Sequence, residues 1–153
     1  MDRSITHSTF VIQREFTASP ERLFSAFANA ATKARWFGAG AVEFEMDFRP
    51  GGRERTRSVM GPNTPFPGTS LINETVYLEI APNQRLVQAY TMSVGDRRIS
   101  ASLATFEFLT TENGSKLIFT EQGAYFAGSD GAQIREIGWQ HILDRLADAN
   151  TDA

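Results

Sequence analysis

The chain contains no cysteine, which excludes disulfides, cysteine nucleophiles and thiolate metal sites together. Histidine is nearly as scarce. His7 and His141 lie far apart, and no carboxylate cluster stands at ligand spacing from either, so no metal and no other cofactor is expected. No apolar run approaches the ~18–20 residues of a membrane span, and the polar segment 1–8 lacks the apolar core of a signal peptide. The expectation is a soluble chain in the cytoplasm with no membrane insertion. No charge of one sign dominates. Fifteen basic side chains face eighteen acidic ones for a net charge of −3, which argues against nucleic acid as the main partner. A nucleophile-elbow motif is missing. Pro50-Gly51-Gly52 lacks the following helix and lysine that a phosphate-binding loop requires, and reads as a turn.

What is present in quantity is aromatic surface. Twelve phenylalanines, three tyrosines and two tryptophans each bring roughly 150–250 Å² that has to be buried. Either they form a dense core or the core also lines a pocket. At 153 residues, with no repeat, low-complexity tract or linker, residues 1–153 read as one domain with its core over 10–149. A chain of this size buries roughly 68–70% of its unfolded surface and needs no staple.

Alternation of Phe10, Ile12 and Phe16 with charged residues predicts a first strand over 10–16. Ser19-Pro20-Glu21 then opens a helix: a capping hydroxyl, a proline at the first helical position and an acid against the dipole. Leu23, Phe24, Phe27, Ala28 and Ala31 carry its apolar stripe, and Asn29 divides it into two short helices ending at Trp36-Phe37-Gly38. From Val42 to Phe48 the period becomes two. Strands follow over 53–60, 71–80, 85–94, 99–109 and 115–122, joined by short turns except at 61–69 and 123–131, two longer loops of the kind that often carry function. A helix over 132–149 closes the chain, with Ile134, Ile137, Ile142, Leu143 and Leu146 as its apolar residues and Trp139 on the same broad face.

This order predicts an α+β domain: a curved seven-strand antiparallel sheet, two short helices near the N-terminus, and a long C-terminal helix over the concave face. One helix rarely fills such a concavity, so the remaining volume is the expected binding site.

Five stretches carry a resemblance to a known family. They are Ala18-Ser-Pro-Glu-Arg-Leu-Phe24, Ala34-Arg-Trp-Phe37, Phe48-Arg-Pro-Gly-Gly52, Tyr77-Leu-Glu-Ile-Ala-Pro-Asn-Gln-Arg-Leu-Val87, and Gly138-Trp139. In this order the chain resembles the SRPBCC superfamily of START-like, birch-pollen-allergen-like helix-grip domains, and more narrowly the branch of homologues of the activator of the 90-kDa heat-shock chaperone ATPase. The resemblance implies the helix-grip fold and a choice among carriers of hydrophobic molecules, cyclases and co-chaperone modules. Ala39, where the branch often has proline, and the proline-rich 61–69 loop depart from its pattern at the expected pocket mouth.

Trp36, Phe37, Tyr77, Tyr90, Phe106, Phe119, Phe126 and Trp139 are the candidate ligand-binding residues, each also explicable as plain core. Tyr77 and Tyr90 stand out because a buried phenol needs a hydrogen-bond partner. His141, beside Trp139, is the one histidine placed to join them, against a surface role. Arg53, Arg55 and Arg57 share one strand face, expected to be solvated and balanced by Glu43, Glu45 and Asp47; the alternative is one arginine turned inward to hold a carboxylate. The expected function is binding of a hydrophobic or amphipathic small molecule. The rivals are a cyclase-, dehydratase- or hydrolase-like enzyme acting on such a ligand through Tyr77, Tyr90, Glu74 or His141, and an interaction module that stimulates a chaperone ATPase, as the resemblance implies. An exposed strand edge or aromatic loop would also suit a homodimer.

Overall fold

The computed structural model describes residues 2–64 and 67–151. Among them the chain forms β1 (Ile5–Phe16), α1 (Pro20–Ala28), α2 (Ala30–Trp36), β2 (Glu43–Met46), β3 (Arg53–Val59), β4 (Ser70–Ala81), β5 (Arg85–Val94), β6 (Arg97–Thr111), β7 (Gly114–Phe126) and α3 (Gly131–Thr151). The strands make one antiparallel sheet in the order β1-β7-β6-β5-β4-β3-β2. Strands β2 to β7 are the expected meander, and β1 docks beside the last of them. Pro65 and Phe66 of the long 61–69 loop lie outside the described residues.

The local signals act as their chemistry requires. Ser19 caps α1 by accepting from the Arg22 amide at 3.2 Å, and Asn29 both ends α1 and caps α2 by accepting from Thr32 N at 2.9 Å. Trp36 donates its indole N–H to the Ala26 carbonyl at 2.9 Å, folding α2 back on α1. In the arch between β2 and β3, Gly52 is obligatory because a Cβ there would sit 2.0 Å from the Asp47 carbonyl oxygen. Register shifts at Tyr77/Glu79 and Met92/Ser93 bend the sheet around its concave face.

Three boundaries differ from expectation; in one, β7 runs on to Phe126 through the expected start of the 123–131 loop, because that stretch pairs with both β1 and β6. β1 begins at Ile5, not Phe10, because its polar, β-branched start pairs with β7 as far as Phe126. β2 stops at Met46, where Asp47 turns into the arch.

α3 differs in its rotation. Ile134 and Ile137 remain 61% and 57% exposed, while Arg135, Trp139, Leu143 and Leu146 are buried. The buried set recurs at four, four and three residues, a truer helical stripe than the isoleucines give. Trp139, the largest ring, fixes which face turns inward, and Arg135 is carried in with it.

The core between α1, α3 and the strands is a lattice of rings. Phe27 meets Trp36, Phe106 and Phe108 edge-on at 4.8, 5.1 and 5.2 Å. Phe106 stacks on Phe119 at 4.7 Å, and Phe119 lies 4.5 Å from Trp139. Such pairs add roughly 0.5–1.5 kcal/mol each beyond the area they bury. They hold α3 against the sheet.

Candidate functional site

Strand alternation sends Glu54 and Thr56 of β3, Thr75 and Tyr77 of β4, Gln88 and Tyr90 of β5, Ser100 and Ser102 of β6, and Glu121 and Tyr125 of β7 to the concave side, where all are buried. Register aligns them across the sheet: Glu54 opposite Thr75, Thr75 opposite Tyr90 and Tyr90 opposite Ser102, with Tyr77 opposite Gln88 in a neighbouring row. A substantial part of the interior is therefore polar. It is organised by two carboxylates.

Glu54 accepts a hydrogen bond from Lys33 of α2 at 2.6 Å and another from the Tyr77 phenol. The Lys33 ammonium also lies 5.3 Å from the ring centre of Phe37 and 5.6 Å from that of Tyr77, so ring faces and a carboxylate together replace its water.

Glu121, 0% exposed, accepts from the phenols of Tyr90 and Tyr125, the latter at 2.5 Å, and from Ser102 at 3.4 Å. Arg135 stands 3.7 Å away. It donates to both oxygens of Asp130 at 2.8 Å, to Ser100 at 2.9 Å and to Tyr90 at 3.1 Å, and Trp139 adds a bond to Tyr90 at 3.3 Å. Tyr125 reaches Glu121 along its own strand only because Gly123 lies between them: a Cβ there would be 2.6 Å from the phenol's Cζ and Oη.

These partners fix the protonation states. Burial pushes Tyr77 far above the ordinary phenol value, and the charge and hydrogen bond of Glu54 push it further. Tyr90 is raised by burial and then by Glu121, despite Arg135. Tyr125 is raised by burial and by its bond to the same carboxylate. At Asp130, burial is outweighed by the bonds and charge of Arg135, which hold it below the usual carboxylate range. The phenols are thus permanent donors, and neither Tyr77 nor Tyr90 is poised as a base.

Against these satisfied groups stand three buried oxygens on the same concave side with no partner: Thr56 Oγ1, Asn73 Oδ1 and Gln88 Oε1. Thr56 and Asn73 face each other across β3 and β4. Ser115 Oγ is also unpartnered, at the far end beside the β6–β7 turn.

The structure brings seven of the nine sequence candidates together. Trp36, Tyr77, Tyr90, Phe106, Phe119 and Trp139 belong to one buried cluster, with Phe37 packed against it. Phe126 and His141 do not join them. Phe126 alternates to the outer face of β7, because its neighbour Tyr125 takes the inward position. His141 is 70% exposed and lies 4.0 Å from Asp144, since the rotation set by Trp139 turns it to solvent. Glu74 is also on the outer face, 3.9 Å from Arg98. Arg55 and Arg57 pair with Glu43 at 2.7 and 2.9 Å, the solvated arrangement expected of that face. The inward ion-pairing arginine is Arg135.

Sequence reading missed Lys33, Glu54, Glu121 and Arg135. Each had a periodic signal: Glu54 alternates with the outward arginines, Glu121 follows Leu117 and Phe119 at period two, Arg135 is one helical step before Trp139, and Lys33 is three residues before Trp36.

A hollow of about 420 Å³ opens mainly among outward side chains, Val76, Ala89, Thr91 and Ala101, bordered by Arg53 and Arg98.

A profile of the family described as Activator of Hsp90 ATPase homolog 1-like protein matches residues 17–150. The chain belongs to that family. An uncharacterised protein of Rhizobium leguminosarum has 34% identity and a TM-score of 0.94, with all of both chains covered. The Mll3558 protein of Rhizobium loti has 41% identity and a TM-score of 0.88, over 95% of this chain and 99% of its own. A protein of unknown function from Staphylococcus aureus, at 15% identity, shares the fold with a TM-score of 0.77 over 97% of this chain and 96% of its own. No curated protein matches. Within the Hsp90-activator-like family, then, the helix-grip frame of this chain carries a paired-carboxylate interior. Among the described residues no helix is long and apolar enough to cross a membrane, and no group of side chains is arranged to hold a metal ion.

Proposed function

We propose that the chain binds an amphipathic small molecule between the concave sheet and α3, one polar end over Thr56 and Asn73, a second polar group toward Gln88, and its apolar part against the ring cluster. The observation that carries this reading is the set of unpartnered buried oxygens between two otherwise satisfied carboxylate networks. Leaving each unmet costs about 1–3 kcal/mol, against a total stability of roughly 5–15 kcal/mol for a domain. A ligand that met them would recover that cost and gain orientation from it. Phe37, Phe44 and Met92, inward-pointing but only half-buried, offer the apolar approach. The three phenols, each donating to a buried glutamate, do not serve this site as a base.

The test has two arms. Native mass spectrometry of the protein purified from its own host, followed by denaturing release, is expected to show one small molecule per chain. Thr56→Val and Gln88→Leu, which remove unmet oxygens, are expected to stabilise the empty protein and abolish that retention. A wild type that is empty in repeated preparations, with variants no more stable than it, would overturn the proposal and leave ordered water as the partner of these atoms.

A further inference from the structure

The two edges of the sheet are built differently. β2 offers four residues, with Glu43, Glu45 and the adjoining Asp47 as a like-charged border. That is a protected edge: short, charged and turned into an arch. β1 offers twelve residues, Ile-Thr-His-Ser-Thr-Phe-Val-Ile-Gln-Arg-Glu-Phe, with no proline, glycine or lysine. Its pairing with β7 runs unbroken from Ile5 opposite Phe126 to Phe16 opposite Ser115, so no bulge blunts it. Among the described residues its other backbone edge pairs with nothing. Ile5 and Val11 are half exposed along it, at 54% and 50%.

We infer that this edge pairs with β1 of a second copy of the chain, antiparallel across a two-fold axis at Thr9. The choice of partner rests on self-complementarity. Arg14 is already held by Asp144 at 2.8 Å, but Arg3 and Glu15 make no ion pair among the described residues, even though Lys116 faces Glu15 across β7. Centred on Thr9, two copies place Arg3 opposite Glu15 at both ends, Ile5 opposite Gln13, His7 opposite Val11, and threonine opposite threonine on the axis. Opposite charges and threonine pairs are favourable across antiparallel strands. Centring on Phe10 sets Glu15 against Ile5, and centring on Ser8 sets Arg3 against Gln13, so both lose the matched charges. An isologous contact of this kind uses up the open edge in both copies, and the protected β2 edges stop further growth, giving a closed dimer instead of a fibre. The inference stands independently of any ligand.

The absence of cysteine makes the test unambiguous, because any disulfide in a single-cysteine variant joins two copies. Thr9→Cys under mild oxidation is expected to give a cross-linked dimer, since directly opposed residues lie within disulfide range. Val11→Cys, opposite His7, and Leu109→Cys, exposed on β6, are expected to stay uncross-linked. Sedimentation velocity of the full chain should show a concentration-dependent dimer. Glu15→Arg should raise its dissociation constant about tenfold, and adding Arg3→Glu should restore it. A wild type that is monomeric at its highest soluble concentration, cross-linking at Val11 in preference to Thr9, or a dimer insensitive to Glu15→Arg would each overturn the proposal.

Discussion

Alkaline titration puts the paired-carboxylate interior to a direct test, because all three tyrosines of the chain, Tyr77, Tyr90 and Tyr125, donate to a buried glutamate. Each is raised above the ordinary phenol value of 10.0, with burial as the first cause and the neighbouring carboxylate adding to it. The native state therefore keeps three protons that the unfolded chain gives up near pH ~10. Stability from this source is complete below that pH and is lost as pH rises above it, because the unfolded state then binds fewer protons than the native one. Each phenol contributes about 1.4 kcal/mol per pH unit, so three together remove roughly 4 kcal/mol per unit. Against a total of roughly 5–15 kcal/mol, unfolding is expected between about pH 11 and 13. Tyrosinate absorbance near the red edge of the protein band, followed with far-UV circular dichroism on the same sample, measures this. The expected result is no tyrosinate through pH 10, then one cooperative rise of all three coincident with loss of the β-sheet signal. A gradual rise centred near pH 10 with the circular dichroism unchanged would refute the assignment of the phenols to buried carboxylates.

Three further outcomes follow from particular contacts. Gly123→Ala, which favours an ordinary strand by up to ~1 kcal/mol, is expected here to destabilise by about 1–2 kcal/mol, because the new methyl displaces Tyr125 from Glu121; urea denaturation gives the sign, and a stabilised variant would exclude the close fit. Lys33→Met strands a buried carboxylate and should cost about 3–5 kcal/mol, most of it regained on adding Glu54→Gln, as thermal unfolding of the single and double variants will show. Asp130, held low by Arg135, contributes stability above about pH 4 that is lost as pH falls through its native value; acid unfolding of Asp130→Asn should therefore show a shallower pH dependence, checked by circular dichroism.

The frame was legible in the sequence because local chemistry dictated it. Ser19-Pro20 and Asn29 cap helices wherever they fall in a chain, and the meander announces itself by short turns between alternating runs. The aromatic half of the site was legible too, since Trp36, Phe106, Phe119 and Trp139 have nowhere to go but inside. The polar half was not, because charge outranked parity in the reading. Glu54 sits among arginines that belong to the surface, and Glu121 resembles a strand end, yet both lie on the inward beat of their strands. Arg135 was hidden by Ile134 and Ile137, whose hydrophobicity suggested a helix face that the bulk of Trp139 overruled. What no local pattern could supply was the pairing across the sheet: Lys33 with Glu54 is separated by 21 residues and Arg135 with Tyr90 by 45.

The division of the interior into a ring lattice and a set of buried polar groups bears on how such a protein changes over evolutionary time. The rings that seat α3 come from α1, α2, β6 and β7, whereas the oxygens of Thr56, Asn73 and Gln88 come from β3, β4 and β5. Under the proposed binding role, substitutions among these polar groups would alter what is recognised while the contacts that set the helix stay as they are, because distant sites without shared partners contribute nearly independently. A lineage built on this plan is free to vary its polar interior without first having to reinvent its architecture.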